Sequence, residues 1–484
     1  MTLLTDTWNG ALYSGGWKPG SAGVSDVIEP ATGGTLGSIG VASVADVHAA
    51  AHAASLAQRD WARRAPEERA AVLRTAGLLF QEHAAEIEGW IIRETGAIGG
   101  KAALETHIAA NECFEASALP SLPHGDVIPS NEPRWSFSRR FPAGVVSVIA
   151  PFNFPLILAI RAVAPALALG NAVLLKPDLR TAVSGGVSIT RVFEEAGLPE
   201  GLLHLLPGGV EVGEAVVTAP EVRIVAFTGS TAAGRRVGAL GAENLKRVHL
   251  ELGGNNALIV LPGADLGLAA SAGAFGSFMH QGQICMTTGR HLVHESLFES
   301  YVDALAEKAN HIPVGDPASG KVALGPIIDQ RQLDRIDSIV KRTVDVGGRL
   351  VAGGTSEGLF YKPTVMTQLD STMPAWAEEV FGPVAPVRSF STIEEAAALA
   401  AENEYGLSLG ILGDVGLAMD IADLVPSGKI HINEQTVSDE ANAPFGGVGW
   451  SGNGSRIGGA QTNIEAFTDT QWLTMRSTIA PYPF

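Results

Sequence analysis

Short runs of apolar residues dominate the chain from residue 143 to residue 254, and each run stops at a proline or a glycine. The runs read GVVSVIAP, NAVLLKP, GLLHLLPG and RIVAFTGS. Stretches with helical spacing, 181–196 and 211–219, separate several of them. Continuous apolar strands that alternate with helices are typical of a parallel sheet covered on both faces. The pattern predicts an α/β unit over 143–254.

The chain before this unit has the pattern of helices. Residues 41–118 are rich in Ala, Glu, Arg and Leu at helical spacing, and residues 61–96 fit two amphipathic helices. Pro66, which two glutamates follow, suits a first helical turn, because proline has no N–H to satisfy and acidic side chains favour a helix N-terminus. We therefore expect helices over most of this region.

A second region of alternating strands and helices follows, over about 255–444, with helices expected at 295–310, 329–346 and 392–402. The remaining tail is rich in glycine at first. Its later segment TQWLTM suits a strand, which is expected to pair with another element or with another subunit.

Composition narrows the class of protein. At about 150 residues per domain, 484 residues suggest about three units, or two large ones. Acidic residues outnumber basic ones by 51 to 33, which gives a net charge of −18. Because nucleic-acid binding needs Lys and Arg to neutralise phosphates, we expect no nucleic-acid partner.

The two cysteines, Cys113 and Cys285, exclude a disulfide framework and favour a reducing compartment. The N-terminal residues MTLLTDTWNG lack the basic and apolar segments of a signal peptide, so we expect a cytoplasmic protein. The longest uncharged apolar stretch, from Phe141 to Ile160, contains three prolines and an asparagine. We interpret it as a buried strand, a turn and a helix start rather than a membrane span.

Three short motifs resemble known binding motifs but lack their essential residues. GSTAAG at 229–234 is followed by two arginines, not by the Lys and Ser or Thr of a nucleotide-hydrolysing P-loop, although its backbone could still approach a phosphate. GVGWSG at 447–452 precedes further glycines rather than a helix. His291 and His294 have the wrong spacing for a zinc motif, so we expect no metal site.

Cys285 and Glu251 are the first candidates for chemistry. Cys285 lies in HQGQICMTTGR, where it is either a buried cysteine that acts as a small hydrophobe or a reactive thiol, which the nearby glycines and polar residues support. Glu251 lies in RVHLELGGNN at the end of an apolar run. A carboxylate there is either desolvated and poised as a base or simply paired with an arginine or with backbone N–H groups.

Asn153 and Lys176 follow two of the apolar runs. Asn153, in APFNFPLILAI, either caps the helix that Pro155 begins or donates its amide to a developing oxyanion. Lys176, in NAVLLKPD, is either a solvated surface charge or a contact for a nucleotide. A lone lysine at a strand end is more often a surface charge, but ligands of open parallel sheets bind outside the carboxyl ends of the strands, which supports the second interpretation.

In combination these segments resemble the aldehyde dehydrogenase superfamily, because they occur in the family's order across most of the chain. The matching motifs are PFNFP at 151–155, LLKPD at 174–178, FTGSTAAG at 227–234, LELGGNN at 250–256, GQIC at 282–285, EEVFGPV at 378–384 and PFGG at 444–447.

The resemblance implies a mechanism that these residue types can perform. The Cys285 thiolate attacks the aldehyde to give a thiohemiacetal, and Asn153 with the Cys285 N–H stabilises its oxyanion. Hydride transfer to the nicotinamide leaves a thioester, and Glu251 activates the water that hydrolyses it.

The resemblance also implies the cofactor contacts. Lys176 is expected at the adenosine ribose, and NAD is the expected cofactor. Family members that prefer NAD often have a glutamate three residues after this lysine, whereas this chain has Leu179 and then Arg180, which leaves NADP open. The other expected cofactor-binding residues are Phe152, Gly229, Ser230, Thr231, Gly234, Glu379 and Phe381.

The C-terminal region and the segments KPDLRT and HQGQICMTTGRHLVH look most like benzaldehyde and vanillin dehydrogenases, which implies an aromatic aldehyde as substrate. By family position, Phe154, Arg161 and Phe445 should border the aldehyde tunnel, with Arg161 paired with an acid or in contact with a ring substituent. The alternatives are a vanillin-type or aliphatic semialdehyde substrate, transfer of the acyl group to coenzyme A, or a catalytically retired binding member.

The implied architecture has a Rossmann-type cofactor domain, an α/β catalytic domain and a small β oligomerisation element, and it implies a homodimer or homotetramer. The expected boundaries are 1–120 and 143–254 for the NAD(P)-binding domain, 255–444 for the catalytic domain, 445–467 for a glycine-rich return segment, and 121–142 with 468–484 for the oligomerisation element.

Overall fold

The computed structural model describes residues 2–484, which alternate between helices and strands over most of their length. The helices are α1 (Val44–Trp61), α2 (Pro66–Glu82), α3 (Ala84–Thr95), α4 (Gly99–Ala118), α5 (Pro155–Ala168), α6 (Ser188–Glu195), α7 (Val210–Thr218), α8 (Thr231–Glu243), α9 (Leu266–Phe278), α10 (Phe298–His311), α11 (Gln330–Asp345), α12 (Pro374–Ala377), α13 (Ile393–Ala400), α14 (Val415–Ala422) and α15 (Ala460–Phe467).

The strands form two large sheets and several small ones. They are β1 (Ala11–Tyr13), β2 (Trp17–Pro19), β3 (Val24–Ile28), β4 (Thr35–Gly40), β5 (Gly125–Val127), β6 (Trp135–Pro142), β7 (Val145–Ile149), β8 (Ala172–Lys176), β9 (Leu203–Leu205), β10 (Val222–Thr228), β11 (Arg247–Glu251), β12 (Asn256–Val260), β13 (Thr288–His294), β14 (Arg349–Ala352), β15 (Ser356–Glu357), β16 (Phe360–Tyr361), β17 (Thr364–Thr367), β18 (Val384–Phe390), β19 (Tyr405–Gly406), β20 (Ser408–Leu412), β21 (Lys429–Ile432), β22 (Val448–Gly449) and β23 (Thr468–Met475).

The first large sheet has the strand order β11-β10-β7-β8-β9-β1-β2. The neighbours from β11 to β9 pair in parallel, and β1 and β2 extend the sheet in the antiparallel sense. The four apolar runs of 143–254 are therefore strands of one parallel sheet, which confirms the prediction from the sequence. Helices α1 and α5 contact β7 and β8 of this sheet.

The segment 181–196 is not one regular helix. A wider turn over Val183–Val187 precedes α6, and the N–H groups of Val183 and Ser184 donate to the buried Glu94 carboxylate. A β-carbon on Gly185 would lie 2.8 Å from Cβ of Pro155. This close packing against the start of α5 explains why glycine occupies the turn.

The second large sheet has the order β14-β17-β18-β13-β12-β20-β21, parallel except for β14. One apolar cluster packs α11, α13 and α14 against the sheet, and another packs α9 and α10 against it. Both clusters contain buried residues of the interior strand β12, which is why that strand is apolar from Ala257 to Val260. The predicted helices at 295–310, 329–346 and 392–402 appear as α10, α11 and α13.

The tail strand β23 pairs with β6 in the antiparallel sense, from Thr468 opposite Pro142 to Met475 opposite Trp135, and β5 completes a three-stranded sheet. The predicted strand TQWLTM is thus confirmed, with its partner in the same chain. Among residues 2–484, no helix is long and apolar enough to cross a membrane.

The parallel strands of the first sheet place their carboxyl ends at one edge. β8 ends at Lys176, β10 ends just before Gly229, and β11 ends at Glu251. The turn after β7 leads through Asn153 to α5. The second sheet lies beyond this edge, and the segment with Cys285 joins α9 to β13. The fold therefore gathers the candidate residues between the two large sheets.

Candidate active site

The backbone before Cys285 is strained. His280, Gln281 and Gly282 have φ angles of 47°, 55° and 64°, a region that residues other than glycine rarely adopt. The Gln281 amide fixes this turn, because its Nε2 donates to the carbonyls of Gly96 at 2.9 Å and Pro326 at 2.8 Å. A β-carbon on Gly282 would lie 2.1 Å from the Gly382 carbonyl oxygen, so only glycine fits.

Cys285 stands where two cavities meet. It lines an apolar cavity of about 240 Å³ and a second cavity of about 140 Å³. Asn256 holds its backbone by donating to the Cys285 carbonyl at 2.8 Å. Burial raises the pKa of the Cys285 thiol to about 12, with Glu379 adding to the effect. Without bound ligands, the thiol is therefore neutral at pH 7.

Asn153 also lines both cavities, and its side chain is almost fully buried. Its Nδ2 donates to the Gln283 carbonyl at 2.9 Å, which ties it to the cysteine loop. Phe154, not Asn153, is the N-cap of α5, without a side-chain hydrogen bond. The interpretation of Asn153 as a helix cap is therefore wrong.

The N-terminus of α5 is satisfied by a carboxylate from another helix. Oε2 of Glu105, on α4, accepts from the N–H groups of Leu156 at 3.0 Å and Ile157 at 3.3 Å. Lys101 forms an ion pair with Glu105, and its ammonium lies 4.4 Å from the ring centroid of Phe154. Asn153 is therefore not needed to cap α5. No local sequence pattern points to this long-range partner.

Glu251 is buried, and its carboxylate has no hydrogen bond of good geometry, although the backbone N–H of Gly447 approaches it. Burial raises the pKa of Glu251 well above its usual value, although Arg456, Arg161 and Lys429 oppose the shift. The side chain lines a small cavity with Arg161 and lies outside the two cavities that Cys285 lines. The structure thus brings Glu251 close enough to act electrostatically on Cys285 but places it at a separate small cavity.

The smaller of the two cavities that Cys285 lines contains five of the predicted cofactor residues. These residues are Phe152, Gly229, Ser230, Glu379 and Phe381. Thr231 begins α8, directly after the Ser230 N-cap, and Gly234 lies one turn into the same helix. Lys176 does not line this cavity. It ends β8, its Nζ donates to the Pro177 carbonyl at 3.3 Å, and burial lowers its pKa.

Glu379 is held against the turn that follows Glu251. Its Oε1 accepts from the Gly254 N–H at 3.0 Å, and burial raises its pKa to about 7. A β-carbon on Gly253 would lie 2.1 Å from Oε2 of Glu379. The double glycine of the LELGGNN motif therefore makes room for this carboxyl group.

Gln332 and Arg335 also line the smaller cavity, and both were missed in the sequence analysis. They lie on α11, a strongly amphipathic helix on which Gln and Arg are ordinary surface residues. Gln332 donates to the Phe381 carbonyl at 2.9 Å, and Arg335 donates to the Glu379 carbonyl at 2.8 Å. No signal in the local sequence distinguishes them from their polar neighbours.

The larger cavity has mostly apolar walls, and Phe154 and Phe445 both line it, as predicted. Besides Asn153 and Cys285, its polar side chains are Glu434, Gln435, Ser438 and Asp439. Its other apolar lining residues are Leu104, Ile108, Ile157, Leu158, Phe275, Met279, Ile284, Met286 and Val437.

Arg161 does not line the larger cavity, contrary to the prediction that it borders the aldehyde tunnel. It forms ion pairs with Glu112 at 2.8 Å and Asp439 at 2.6 Å, and its guanidinium carbon lies 5.0 Å from the Phe445 ring centroid. A buried cation needs compensating charge, and the two carboxylates hold Arg161 behind Phe445. The expected pairing with an acid is therefore present, and Asp439 rather than Arg161 faces the cavity.

Fold and site define a two-sheet α/β protein whose cysteine stands between an apolar cavity and a cavity at a helix N-terminus. The chain belongs to the aldehyde dehydrogenase family, whose model matches residues 17–473. It is 60% identical to a vanillin dehydrogenase of an Amycolatopsis strain over 100% of both chains. It is 47% identical to the benzaldehyde dehydrogenase [NAD(+)] of Pseudomonas putida, over 99% of this chain and 98% of that one.

Solved structures show the same fold. The betaine aldehyde dehydrogenase of Staphylococcus aureus, crystallised in complex with NAD+, superposes with a TM-score of 0.95. The two chains are 28% identical, and the match covers 98% of this chain and 96% of that one. The expected aldehyde dehydrogenase-like α/β fold is therefore confirmed.

Proposed function

We propose that this enzyme oxidises an aromatic aldehyde to the carboxylic acid with NAD as hydride acceptor. The observation that carries the proposal is the position of Cys285, which lines both an apolar cavity walled by Phe154 and Phe445 and the cavity that contains the predicted cofactor residues. A thiol at this junction can hold the substrate carbon next to the cofactor.

In the first proposed step, the Cys285 thiol passes its proton to water and its sulfur forms a bond to the aldehyde carbon, while the π electrons of the carbonyl move to oxygen to make a thiohemiacetal oxyanion. Asn153 has two amide hydrogens, and only one is used by the Gln283 carbonyl, so the other can donate to the oxyanion. The Cys285 N–H is the second proposed donor. When bound, the nicotinamide accepts the hydride that leaves this carbon, so that Cys285 carries a thioester.

Glu251 is the proposed base for hydrolysis of the thioester. It removes a proton from water as the water oxygen attacks the acyl carbon, and the bond to sulfur breaks to release the acid. Because Glu251 lines a separate small cavity in this structure, its side chain must turn towards Cys285 for this step. This movement breaks no hydrogen bond of good geometry, because only the backbone N–H of Gly447 approaches the carboxylate.

The residues of the smaller cavity fit a dinucleotide. Gly229 and Ser230 lie at the N-terminus of α8, where backbone N–H groups and the helix dipole attract phosphate. Thr231 and Gly234 continue this turn, and Phe152 lies on the opposite wall. We assign Glu379 and Phe381 to the nicotinamide ribose and Lys176 to the adenosine ribose.

Arg180 favours NAD over NADP in this proposal. An arginine near the adenosine ribose could bind a 2′-phosphate, but this one is already engaged. Asp178 binds its Nε and Nη2 at 2.9 and 2.8 Å, and Asp329 binds its Nη1 at 2.6 Å. Although burial opposes it, the hydrogen bonds from Arg180 hold the pKa of Asp178 below its usual value. The Asp178 carboxylate is therefore ionised and repels a phosphate near Lys176.

Benzaldehyde and vanillin are the leading candidate substrates. Relatives named for both compounds align with this chain over nearly its full length. The apolar and aromatic walls suit a benzene ring. The polar side chains of Glu434, Gln435, Ser438 and Asp439 favour a ring that carries a hydroxyl group, because they offer acceptors for it. Retention of Glu251 favours water over coenzyme A as acyl acceptor.

The direct test is NADH formation at 340 nm with benzaldehyde, vanillin and a short aliphatic aldehyde, each with NAD and with NADP. We expect turnover of both aromatic aldehydes and a kcat/KM for NAD at least about tenfold above that for NADP, since a 2′-phosphate would meet an engaged arginine. Turnover of the aliphatic aldehyde alone would overturn the substrate class. A reaction that starts only after coenzyme A is added would assign the chain to the acylating enzymes.

We further propose that the chain forms a homodimer or homotetramer through the sheet of β5, β6 and β23. This sheet carries exposed aromatic side chains, with Trp135 62% and Trp472 64% exposed. Met475 on β23 is also exposed. Large apolar patches of this kind mark association surfaces. The segments 121–142 and 468–484 are thus the proposed oligomerisation element. The other proposed segments are 1–120 and 143–254 for cofactor binding, 255–444 for catalysis and 445–467 for the return segment.

The two free cysteines suit the proposed cytoplasmic location.

Replacing Trp472 by aspartate should shift the protein to a smaller species, because a charge would be buried in the contact. Light scattering coupled to size-exclusion chromatography measures the mass. Leu56→Asp is the matched control, since Leu56 is an exposed apolar residue on α1, outside the proposed interface segments. An unchanged mass for Trp472→Asp, or an equal shift for both variants, would contradict the proposed interface.

A further inference from the structure

Arg180 links the first large sheet to helix α11, which carries two residues of the smaller cavity that Cys285 lines. It follows β8 of the first sheet, where Asp178 binds it through both Nε and Nη2. Its guanidinium carbon lies 4.1 Å from the ring centroid of Phe152, so the cation stacks on a residue of the cavity wall. An arginine that is both bidentate and stacked has a fixed orientation, which a lysine could not reproduce.

The third contact of Arg180 is with the start of helix α11. Its Nη1 donates to Oδ2 of Asp329 at 2.6 Å. Asp329 is the N-cap of α11, and its other oxygen accepts from the Gln332 N–H at 2.8 Å. One carboxylate therefore connects Arg180 to the first turn of the helix that carries Gln332 and Arg335.

Helix α11 in turn fixes the segment that contains Glu379 and Phe381. Gln332 and Arg335 donate to the backbone carbonyls of Phe381 and Glu379. Phe381 has a φ of 54°, a strained conformation that persists only when its surroundings enforce it. The Phe381 ring also meets Phe152 edge-on, with centroids 5.9 Å apart. The contacts therefore close a ring from Arg180 through α11 and Phe381 back to Phe152.

We propose that Arg180 is a positioning residue for the cofactor: with Asp329 it holds Phe152 and, through α11, the Glu379–Phe381 segment in the geometry that binds the dinucleotide. The inference rests on the proposed function, because it assigns these residues to a nicotinamide cofactor. Arg180 itself does not line the cavity. Its effect therefore passes through Phe152 and α11.

The test compares full-length Arg180→Met, Asp329→Asn and the double variant with the unaltered enzyme. Asparagine caps a helix as well as aspartate does, so Asp329→Asn keeps the N-cap of α11 and removes only the charge that binds Arg180. The measured quantities are the Kd of NADH from fluorescence titration, the KM for NAD, the KM for benzaldehyde and kcat. Melting temperatures show whether each variant is folded.

We expect Arg180→Met to raise the Kd of NADH and the KM for NAD about tenfold, and Asp329→Asn to raise them about threefold, as suits the loss of charge-assisted contacts. The KM for benzaldehyde should change less than twofold. The double variant should be no worse than Arg180→Met, because both replacements break the same link. Arg180→Lys should restore part of the loss, since it keeps the charge but not the stacked fork.

Lys341→Met is the matched control. Lys341 lies on the same helix, where it pairs with Asp337 at 2.6 Å on the exposed surface. Its replacement should leave all four quantities within about twofold, as is usual for a surface ion pair. An equal effect of this variant would mean that any loss of an ion pair on α11 disturbs the site, and would overturn the specific role of Arg180.

Additive effects in the double variant, equal losses for NAD and benzaldehyde, or an unchanged Kd for NADH would also overturn the proposal. If Arg180→Met does not fold, Asp329→Asn decides alone, because its cap is preserved. If the unaltered protein binds NADH but oxidises no aldehyde, the proposed function fails while the Kd still tests Arg180. If it binds no NADH at all, both fail.

Discussion

Replacement of Cys285 by alanine is expected to lower the kcat/KM for benzaldehyde by about four orders of magnitude or more, because covalent catalysis has no other nucleophile at this position. Cys285 lines both cavities, and its thiol can form a carbon–sulfur bond with the aldehyde. NADH binding should change by less than about twofold, since the thiol forms only a small part of the cofactor cavity wall. Measurements at 340 nm and fluorescence titration give the two quantities.

Cys113 provides a matched control within the same chain. It is fully buried on α4, and it lines neither of the two cavities that Cys285 lines. Cys113→Ala should lower the free energy of unfolding by about 1–2 kcal/mol through lost packing, and leave kcat/KM within about twofold. Equal losses of activity in the two variants, or a fully active Cys285→Ala, would contradict the assigned nucleophile.

The raised pKa of Cys285 gives this prediction a pH dependence in the enzyme without ligands. Because burial favours the neutral thiol, the reactive thiolate is a minor species that grows as the pH approaches the pKa of about 12. The rate of inactivation by iodoacetamide should therefore rise about tenfold per pH unit between pH 7 and pH 9, the range well below the pKa. A rate that is independent of pH would mean that the thiol is already ionised.

The parallel sheets could be predicted because their information is local. Strands buried on both faces are mainly apolar, and the runs before Pro151, Pro177 and Gly229 show this in the sequence alone. Cys285 and Glu251 could also be predicted as candidates, because the glycines beside them indicate a backbone that approaches other groups closely. Gly253 and Gly282 do so in the structure, against Glu379 and Gly382.

The contacts that the sequence analysis missed connect distant segments. Glu105 on α4 satisfies the N-terminus of α5, so the local capping interpretation of Asn153 was wrong although asparagine is a favoured cap. Arg161 is held by Glu112 and Asp439, which come from a helix and a loop far away in the chain. Charge pairing across the fold leaves no periodic pattern, so it becomes visible only in three dimensions.

Replacement of Glu251 by glutamine should lower the steady-state kcat for benzaldehyde by about two to three orders of magnitude, the usual contribution of a general base. Formation of the thioester does not need this base in the proposed mechanism. The variant should therefore release a burst of one NADH per active site before the slow phase, and stopped-flow absorbance at 340 nm measures both. Hydroxylamine, an external nucleophile, should restore turnover by cleaving the accumulated thioester.

Glu94→Gln is the matched control for this variant. Glu94 is also a fully buried carboxyl group, with a pKa raised to about 7 by burial, but it binds Val183 and Ser184 away from the cavities. Its replacement should lower the melting temperature, because hydrogen bonds to a buried group are weakened, and leave the burst and kcat nearly unchanged. A burst in this variant too would show that loss of a buried carboxylate slows hydrolysis indirectly.

The pH dependence of kcat separates a base from a group that only positions water. Burial raises the pKa of Glu251, so its protonated and inactive form persists to higher pH than in an exposed glutamate. Where hydrolysis limits the rate, kcat of the unaltered enzyme should therefore rise with pH as Glu251 loses its proton, whereas Glu251→Gln should lose this rise. A slow steady state of Glu251→Gln without a burst would mean that Glu251 acts before the thioester forms. An unchanged kcat would mean that another group activates the water. The buried carboxyl group of Glu251 would then have no catalytic role.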